Sequence, residues 1–210
     1  MNYFVTGTDT GVGKTYFTCG LVRTAREAGI DCIGMKPICT GDNADVIEII
    51  RANDGAAPEA LVNSIWYRTP ISPYGAALIE DRVIDLPSVR NAYAELAKKH
   101  QSVLVEGAGG ILVPILADYD FRDLARDLNL KIIIVSANRL GVINHTRLTL
   151  EAIRVAGLAC SLIALNSLPH QNDFSQLSNE NILASLVDAP VLEIKAHAEN
   201  FDHFVSLLLN

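Results

Sequence analysis

Residues 7 to 15 read Gly-Thr-Asp-Thr-Gly-Val-Gly-Lys-Thr, set between a short apolar run, Tyr3 to Thr6, and a segment of helical spacing that begins at Lys14. Glycines at this density let a loop turn so that successive backbone N–H groups face inward, an arrangement suited to a polyphosphate. Lys14 then supplies a point charge for the terminal phosphates, and Thr15 offers a hydroxyl to Mg²⁺. A nucleotide is therefore the first ligand to consider. Five residues separate Gly7 from Gly13, one more than in the usual phosphate-loop template.

Three further segments carry groups that could work beside such a loop. Lys36 opens the run Lys36-Pro37-Ile38-Cys39-Thr40-Gly41, and a second cation there would meet the charge that a transferred phosphoryl group spreads over its oxygens. Thr40 adds a donor. Asp45 reads both as a helix-start carboxylate and as a Mg²⁺ ligand beside Thr15, two roles that can hold together. Glu106, at the tip of the apolar run Ser102 to Val105, stands at the Walker B position, and Gly107, Gly109 and Gly110 after it allow close backbone approach. Finally, Ser136-Ala137-Asn138 leads through Arg139 to Gly141-Val142-Ile143-Asn144-His145, where Asn144 is expected to cap a helix whose free N–H groups could receive an anion. His145 has no partner in the sequence, and His100, His170, His197 and His203 show no metal-ligand spacing beside an acid.

The elements that must position these residues alternate. Apolar runs at 3–6, 31–36, 102–106, 130–136, 159–166 and 190–194 read as strands. Helical patterns cover Lys14 to Ala28, ending at Gly29, and then Asp45 to Arg51, Leu86 to Lys98, Phe121 to Leu128, Asn144 to Ala156 and Asn179 to Val187. Lys131 to Val135 and Leu162 to Leu165 are apolar without alternation, as strands covered on both faces are. The expected fold is an α/β, P-loop NTPase-like sheet, mostly parallel, with helices on both faces and residues 1–210 forming one domain. Chemistry in such sheets gathers at the carboxyl ends of the strands, where all four motifs fall.

With 210 residues, half of them hydrophobic, the chain can bury one sizeable core. A formal charge of -7, with Lys and Arg scattered, argues against a nucleic-acid groove. The sequence shows neither a leader pattern nor a membrane-length apolar segment, so the cytoplasm is the expected address, with no membrane partner. Cys19, Cys32, Cys39 and Cys160 lie far apart among apolar neighbours and read as small buried residues.

Taken in order and spacing, the long phosphate loop, Lys36-Pro37 with Thr40-Gly41, Val105-Glu106-Gly107-Ala108-Gly109-Gly110 and Gly141-Val142-Ile143-Asn144-His145 resemble the dethiobiotin synthetases, over nearly the whole chain. The Ser72-Pro73 pair resembles that family's substrate-side loop, with Tyr74 where a His is common. The resemblance implies a ligase of biotin biosynthesis: 7,8-diaminononanoate and CO₂ form a carbamate, which attacks the γ-phosphate of MgATP, and the second amine closes the ureido ring. It implies catalytic roles for Lys14, Lys36 and Thr10, and nucleotide contacts at Gly11, Val12, Gly13, Lys14, Thr15, Tyr16, Glu106, Gly109 and Asn166. Thr15, Asp45 and Glu106 would hold Mg²⁺. Lys36, Thr40 and the turn Gly141, Val142, Ile143 and Asn144 would bind the substrate, the turn coming from the second subunit of a homodimer. The segment Pro190 to Lys195 departs from the family's base-binding loop. The alternative is a nucleotide-switch ATPase of the partitioning type, which carries a signature lysine where this chain has Asp9.

Overall fold

The computed structural model describes residues 1–168 and 173–209. In chain order the elements are β1 (Tyr3–Gly7), α1 (Lys14–Glu27), β2 (Cys32–Met35), β3 (Ile38–Thr40), α2 (Ala44–Asn53), α3 (Glu59–Val62), β4 (Ile65–Tyr67), α4 (Pro73–Ile79), α5 (Leu86–Lys99) and β5 (Ser102–Gly110). They continue with β6 (Pro114–Leu116), β7 (Tyr119–Asp120), α6 (Phe121–Asp127), β8 (Lys131–Ala137), α7 (Val142–Val155), β9 (Cys160–Asn166), α8 (Gln176–Leu186), β10 (Val191–Ile194) and α9 (Asp202–Leu208).

Six strands form the central sheet in the order β10-β9-β8-β1-β5-β2, and every pairing is parallel. These are the six apolar runs of the sequence. Their lack of alternation has its reason in the fold, since β1 and β2 are buried throughout and β8 is buried after Lys131. The chain leaves β1 in one direction to build β2 and β5 and returns on its other side as β8, so the strand order reverses at β1. Ligands of open α/β sheets bind outside the carboxyl ends at such a reversal, which is where the glycine loop sits.

Two short pairs lie outside the central sheet, β3 with β4 in parallel and β6 with β7 antiparallel. Neither these nor α3 and α4 are expected from the sequence; runs of two to four residues, as in β7 and α3, are too short to show a period. His170 lies outside the described residues, and His100 accepts a plain structural role, its Nδ1 standing 2.9 Å from Asp31. No helix among the described residues is long and apolar enough to cross a membrane. Cys19 and Cys32 are buried, and burial pushes both thiols up to about 12, as befits inert core residues.

The C-terminal segment packs on α1. Phe201 and Phe204 meet Phe17 edge-on at centroid distances of 6.1 and 5.4 Å, and the Tyr16 hydroxyl donates to the Ala198 carbonyl. This contact depends on Gly20, where an added Cβ would lie 2.3 Å from the Phe201 ring. Gly20→Ala would gain about 1 kcal/mol of helix propensity, but overpacking of this kind costs about 1–3 kcal/mol. The net expectation is a loss of stability and a lower melting temperature by calorimetry; an unchanged or raised midpoint would show that α9 yields freely.

Candidate active site

Helix α1 starts at Lys14 because Gly13 adopts a left-handed conformation (φ 93°) that turns the loop into the helix, and no side chain caps that end. The first N–H groups of α1 are thus left for a ligand, and the helix dipole favours an anion there. Lys14 is buried within the loop it serves, with Nζ 3.3 Å from the Asp9 carbonyl. Burial pushes its ammonium below the ordinary lysine value, and Lys36 adds to the effect against the pull of Glu106.

Beside the loop, Lys36 joins two carboxylates. Its Nζ donates to Asp45 Oδ2 at 2.6 Å and to Glu106 Oε1 at 2.7 Å. Glu106 Oε1 also accepts from the Thr15 hydroxyl at 2.7 Å. The cluster therefore ties β5, the end of β2, the start of α2 and the phosphate loop into one unit. Burial alone would strip the Lys36 charge, yet Glu106 and Asp45 outweigh it and hold the ammonium above its usual range. The two lysines of the site are pushed in opposite directions, the pattern expected where neighbouring groups take different tasks. Glu106 is fully buried, and its Oε2 has no hydrogen-bond partner among the described residues.

Asp45 faces the reverse balance. Burial raises it, but the Lys36 ammonium brings it below the ordinary 3.8. A carboxyl depressed in the folded state contributes stability that is complete above its unfolded value and vanishes as pH falls through the folded one. The gap in melting temperature between the protein and Asp45→Asn is expected to be widest above the unfolded carboxyl value and to close as pH falls through the lowered folded one. Because the side chain is half exposed, the gap corresponds to less than about 1 kcal/mol. A gap independent of pH would mean that the Lys36 contact contributes nothing.

These groups open onto a cleft of about 510 Å³ walled by Thr10, Gly11, Gly13, Lys14 and Thr15 on one side and by Lys36, Cys39, Thr40 and Asp45 on another. Ala108, Gly109 and Val113 and the run Pro70, Ile71, Ser72 and Pro73 complete its lining. The Ser72-Pro73 pair owes its position to α4, since the Ser72 hydroxyl caps the helix by accepting from the Gly75 N–H and Pro73 takes its first position. Tyr74 is not part of the wall. Neither are Val12, Tyr16 and Asn166: Val12 is buried, the Tyr16 phenol turns to the C-terminal segment, and the Asn166 amide donates to the Val12 carbonyl at 3.0 Å. Pro70, Ile71 and Val113 escape a reading by chemistry because their side chains carry none.

One expectation needs correction. Asn144 does not cap α7; Gly141 does, in a left-handed conformation (φ 94°), so the helix starts earlier, at Val142. A left-handed glycine substitutes for a polar cap and leaves the first N–H groups free, as at Gly13. Gly141, Ile143 and Asn144 line a different groove, with Arg147, Glu151 and Leu186, and within one chain they do not reach the phosphate cleft.

A family model described as an AAA domain matches residues 1–194. The chain is 38% identical over 200 residues to the ATP-dependent dethiobiotin synthetase BioD of Akkermansia muciniphila, covering 95% of this chain and 94% of that one. It is 39% identical to the protein of the same name from Anaeromyxobacter sp. strain Fw109-5, over 94% of this chain and 90% of that one. Among solved structures, a putative plasmid partition protein of Borrelia burgdorferi bound to AMPPNP superposes with a TM-score of 0.55 at 12% identity, over 96% of this chain and 90% of that one. That likeness is one of fold.

Proposed function

This chain belongs to the ATP-dependent dethiobiotin synthetase family of ligases, and from that premise we propose that its cleft joins CO₂ to 7,8-diaminononanoate at the expense of ATP. The observation that carries the reading is the Lys36 bridge between Asp45 and Glu106 at the mouth of an uncapped, glycine-started helix. Such a mouth binds phosphate, and a buried cation next to it stabilises charge that develops during transfer.

The proposed sequence begins with an amine of the diamine adding to CO₂ and losing a proton to give a carbamate. A carbamate oxygen attacks the γ-phosphorus, the bond to ADP breaks, and a carbamic-phosphoric anhydride forms. The second amine attacks the carbonyl carbon, phosphate leaves with the electron pair of the broken C–O bond, and the ureido ring closes. Lys14 and the free N–H groups of α1 would hold the transferred phosphoryl group, while Lys36 would meet the carbamate and the charge between the two. Thr10 and Thr40, both lining the cleft, would donate to the same oxygens. Two cations in one cleft also favour neutral amines, the form that reacts with CO₂.

Mg²⁺ fits the residues present. The orphaned Glu106 Oε2, the Asp45 carboxylate and the Thr15 hydroxyl are hard oxygen donors next to the phosphate loop, and a cation held there would neutralise phosphate charge. Ile71, Pro70 and Val113 offer an apolar wall for the aliphatic chain of the diamine. Its carboxylate would meet the free N–H groups at Gly141 to Asn144 of a second subunit, because in one chain that turn lines a separate groove and not the cleft. A homodimer in the cytoplasm follows from this reading. The switch-ATPase alternative lacks its lysine: Asp9 accepts from the Thr10 N–H at 2.7 Å and stands 4.0 Å from Arg139.

Phosphate release from MgATP, with and without the diamine and bicarbonate, tests the proposal. Release that depends on the diamine, with dethiobiotin identified by mass spectrometry, is the expected result. Slow release indifferent to the diamine would overturn it.

A further inference from the structure

Strand β2, which delivers Lys36, is an outermost strand of the central sheet and pairs there with β5 alone. A strand in that place leaves the N–H and C=O groups of alternate residues facing outward with no ladder to meet them. Here side chains meet them instead. At Gly34 the buried Asn53 amide does both jobs, its Oδ1 accepting from the Gly34 N–H at 2.7 Å and its Nδ2 donating to the Gly34 carbonyl at 2.9 Å. Two residues on, the Lys36 N–H donates to the Val62 carbonyl at 2.9 Å, and Asn63 Nδ2 donates to the Lys36 carbonyl at 2.7 Å.

Asn63 can reach that carbonyl because α3 ends at it. The helix is four residues long, and Asn63 leaves it in an extended conformation (φ -132°, ψ 108°), with its own N–H on the Glu59 carbonyl. The same Nδ2 also donates to the Ile65 carbonyl at 3.1 Å, while the Ser64 and Ile65 N–H groups converge on the Pro37 carbonyl at 3.2 and 3.0 Å. Residues 62–65 thus grip the main chain where it leaves the sheet. Pro37 has no N–H with which to continue a ladder, so the grip falls on Lys36 itself. That lysine is then fixed at both ends, at Nζ by Asp45 and Glu106 and at its main chain by Val62 and Asn63. Asn63 does not line the cleft. We infer that Asn63 is a positioning residue for the reaction, acting through Lys36 by holding the peptide from which the ammonium is aimed. The inference rests on the role proposed above for Lys36.

A double-mutant cycle of Asn63→Ala with Lys36→Gln tests it, read by diamine-dependent phosphate release and by titration with MgATP. Asn63→Ala should lower kcat about tenfold, since a small displacement of a charge from the transferring group is felt in turnover, and should leave ATP affinity within about twofold. In the Lys36→Gln background the same substitution should cost nothing further, because the group it positions is gone. If Asn63→Ala fails to fold, Asn63→Gln carries the amide one methylene further out and should lower kcat about threefold, again only while Lys36 is present. An equal loss in both backgrounds would show that Asn63 serves stability alone and would overturn the inference, as would an unmoved kcat in the folded variant or a matching loss of ATP affinity. A parent enzyme without diamine-dependent release, or a Lys36→Gln variant with full turnover, would instead sink the reading on which it stands.

Discussion

Replacing Lys36 with Gln is expected to lower turnover by about 10²–10³ while leaving MgATP binding mostly intact. The argument is one of position. Lys36 stands beside the phosphate loop, held by Asp45 and Glu106 on a different segment of the chain, whereas the loop itself with Lys14 and Thr15 supplies the ground-state contacts to the nucleotide. A charge that acts chiefly on the transferring group is lost from kcat rather than from ATP affinity. Stability should fall as well. Glu106 is fully buried, and without the ammonium its carboxylate keeps only the Thr15 hydroxyl, a situation that costs about 3–5 kcal/mol when no donor replaces the lost one. The Gln amide restores part of a hydrogen bond, so a folded protein remains available for single-turnover phosphate release and for titration with ATP. Should ATP affinity drop as far as turnover does, Lys36 belongs to the nucleotide site and its assigned role is wrong.

The second large effect lies at Gly13. Ala there must adopt φ near 93° at a cost of about 1–2 kcal/mol, and its Cβ would overlap the Asn166 amide. Moving Asn166 breaks its buried bond to Val12, worth about 1–3 kcal/mol once a partner is left unsatisfied. Together these predict a destabilisation of about 2–5 kcal/mol and a loss of ATP affinity of at least about tenfold, from denaturant melts and nucleotide titration. Gly11→Ala is the control. Gly11 is also left-handed (φ 73°), but its Cβ would meet open space, so only the backbone cost applies. Comparable losses in the two variants would show that the Asn166 contact does not matter.

Much of the site was legible because its chemistry resides in residue types. Lys14 and Thr15 open α1, Asp45 stands in the first turn of α2 and Lys36 follows β2, while Glu106, expected at a strand tip, lies midway along a β5 that runs on to Gly110; the fold brings all five together. What escaped has physical reasons. Ile38–Thr40 and Ile65–Tyr67 pair as strands only because the chain brings them together, and three residues cannot display alternation. Pro70, Ile71 and Val113 wall the cleft through shape. Asn144 resembles a cap by composition, but the αL conformation of Gly141 is a backbone property that a residue-type preference for polar caps overlooks. Asn63, at the end of a four-residue helix, looks like an ordinary turn residue; its importance comes from Lys36, distant in sequence and adjacent only in the fold.

The central place of β1 sets a condition on how the chain is made. β1 precedes the other five strands of its sheet in the chain, it is buried along its whole length, and among the described residues its sheet partners are β5 and β8. Until residues 102–110 have emerged, the nascent chain holds an apolar strand with both edges unpaired, directly ahead of the glycine loop, and one edge stays open until residues 131–137 follow. Native pairing of β1 is therefore delayed until most of the polypeptide has been translated, and the phosphate loop, anchored by that strand, acquires its shape late. Nucleotide can act as a folding ligand only after this stage, and chains halted before β8 should be the ones that chaperones and proteases claim.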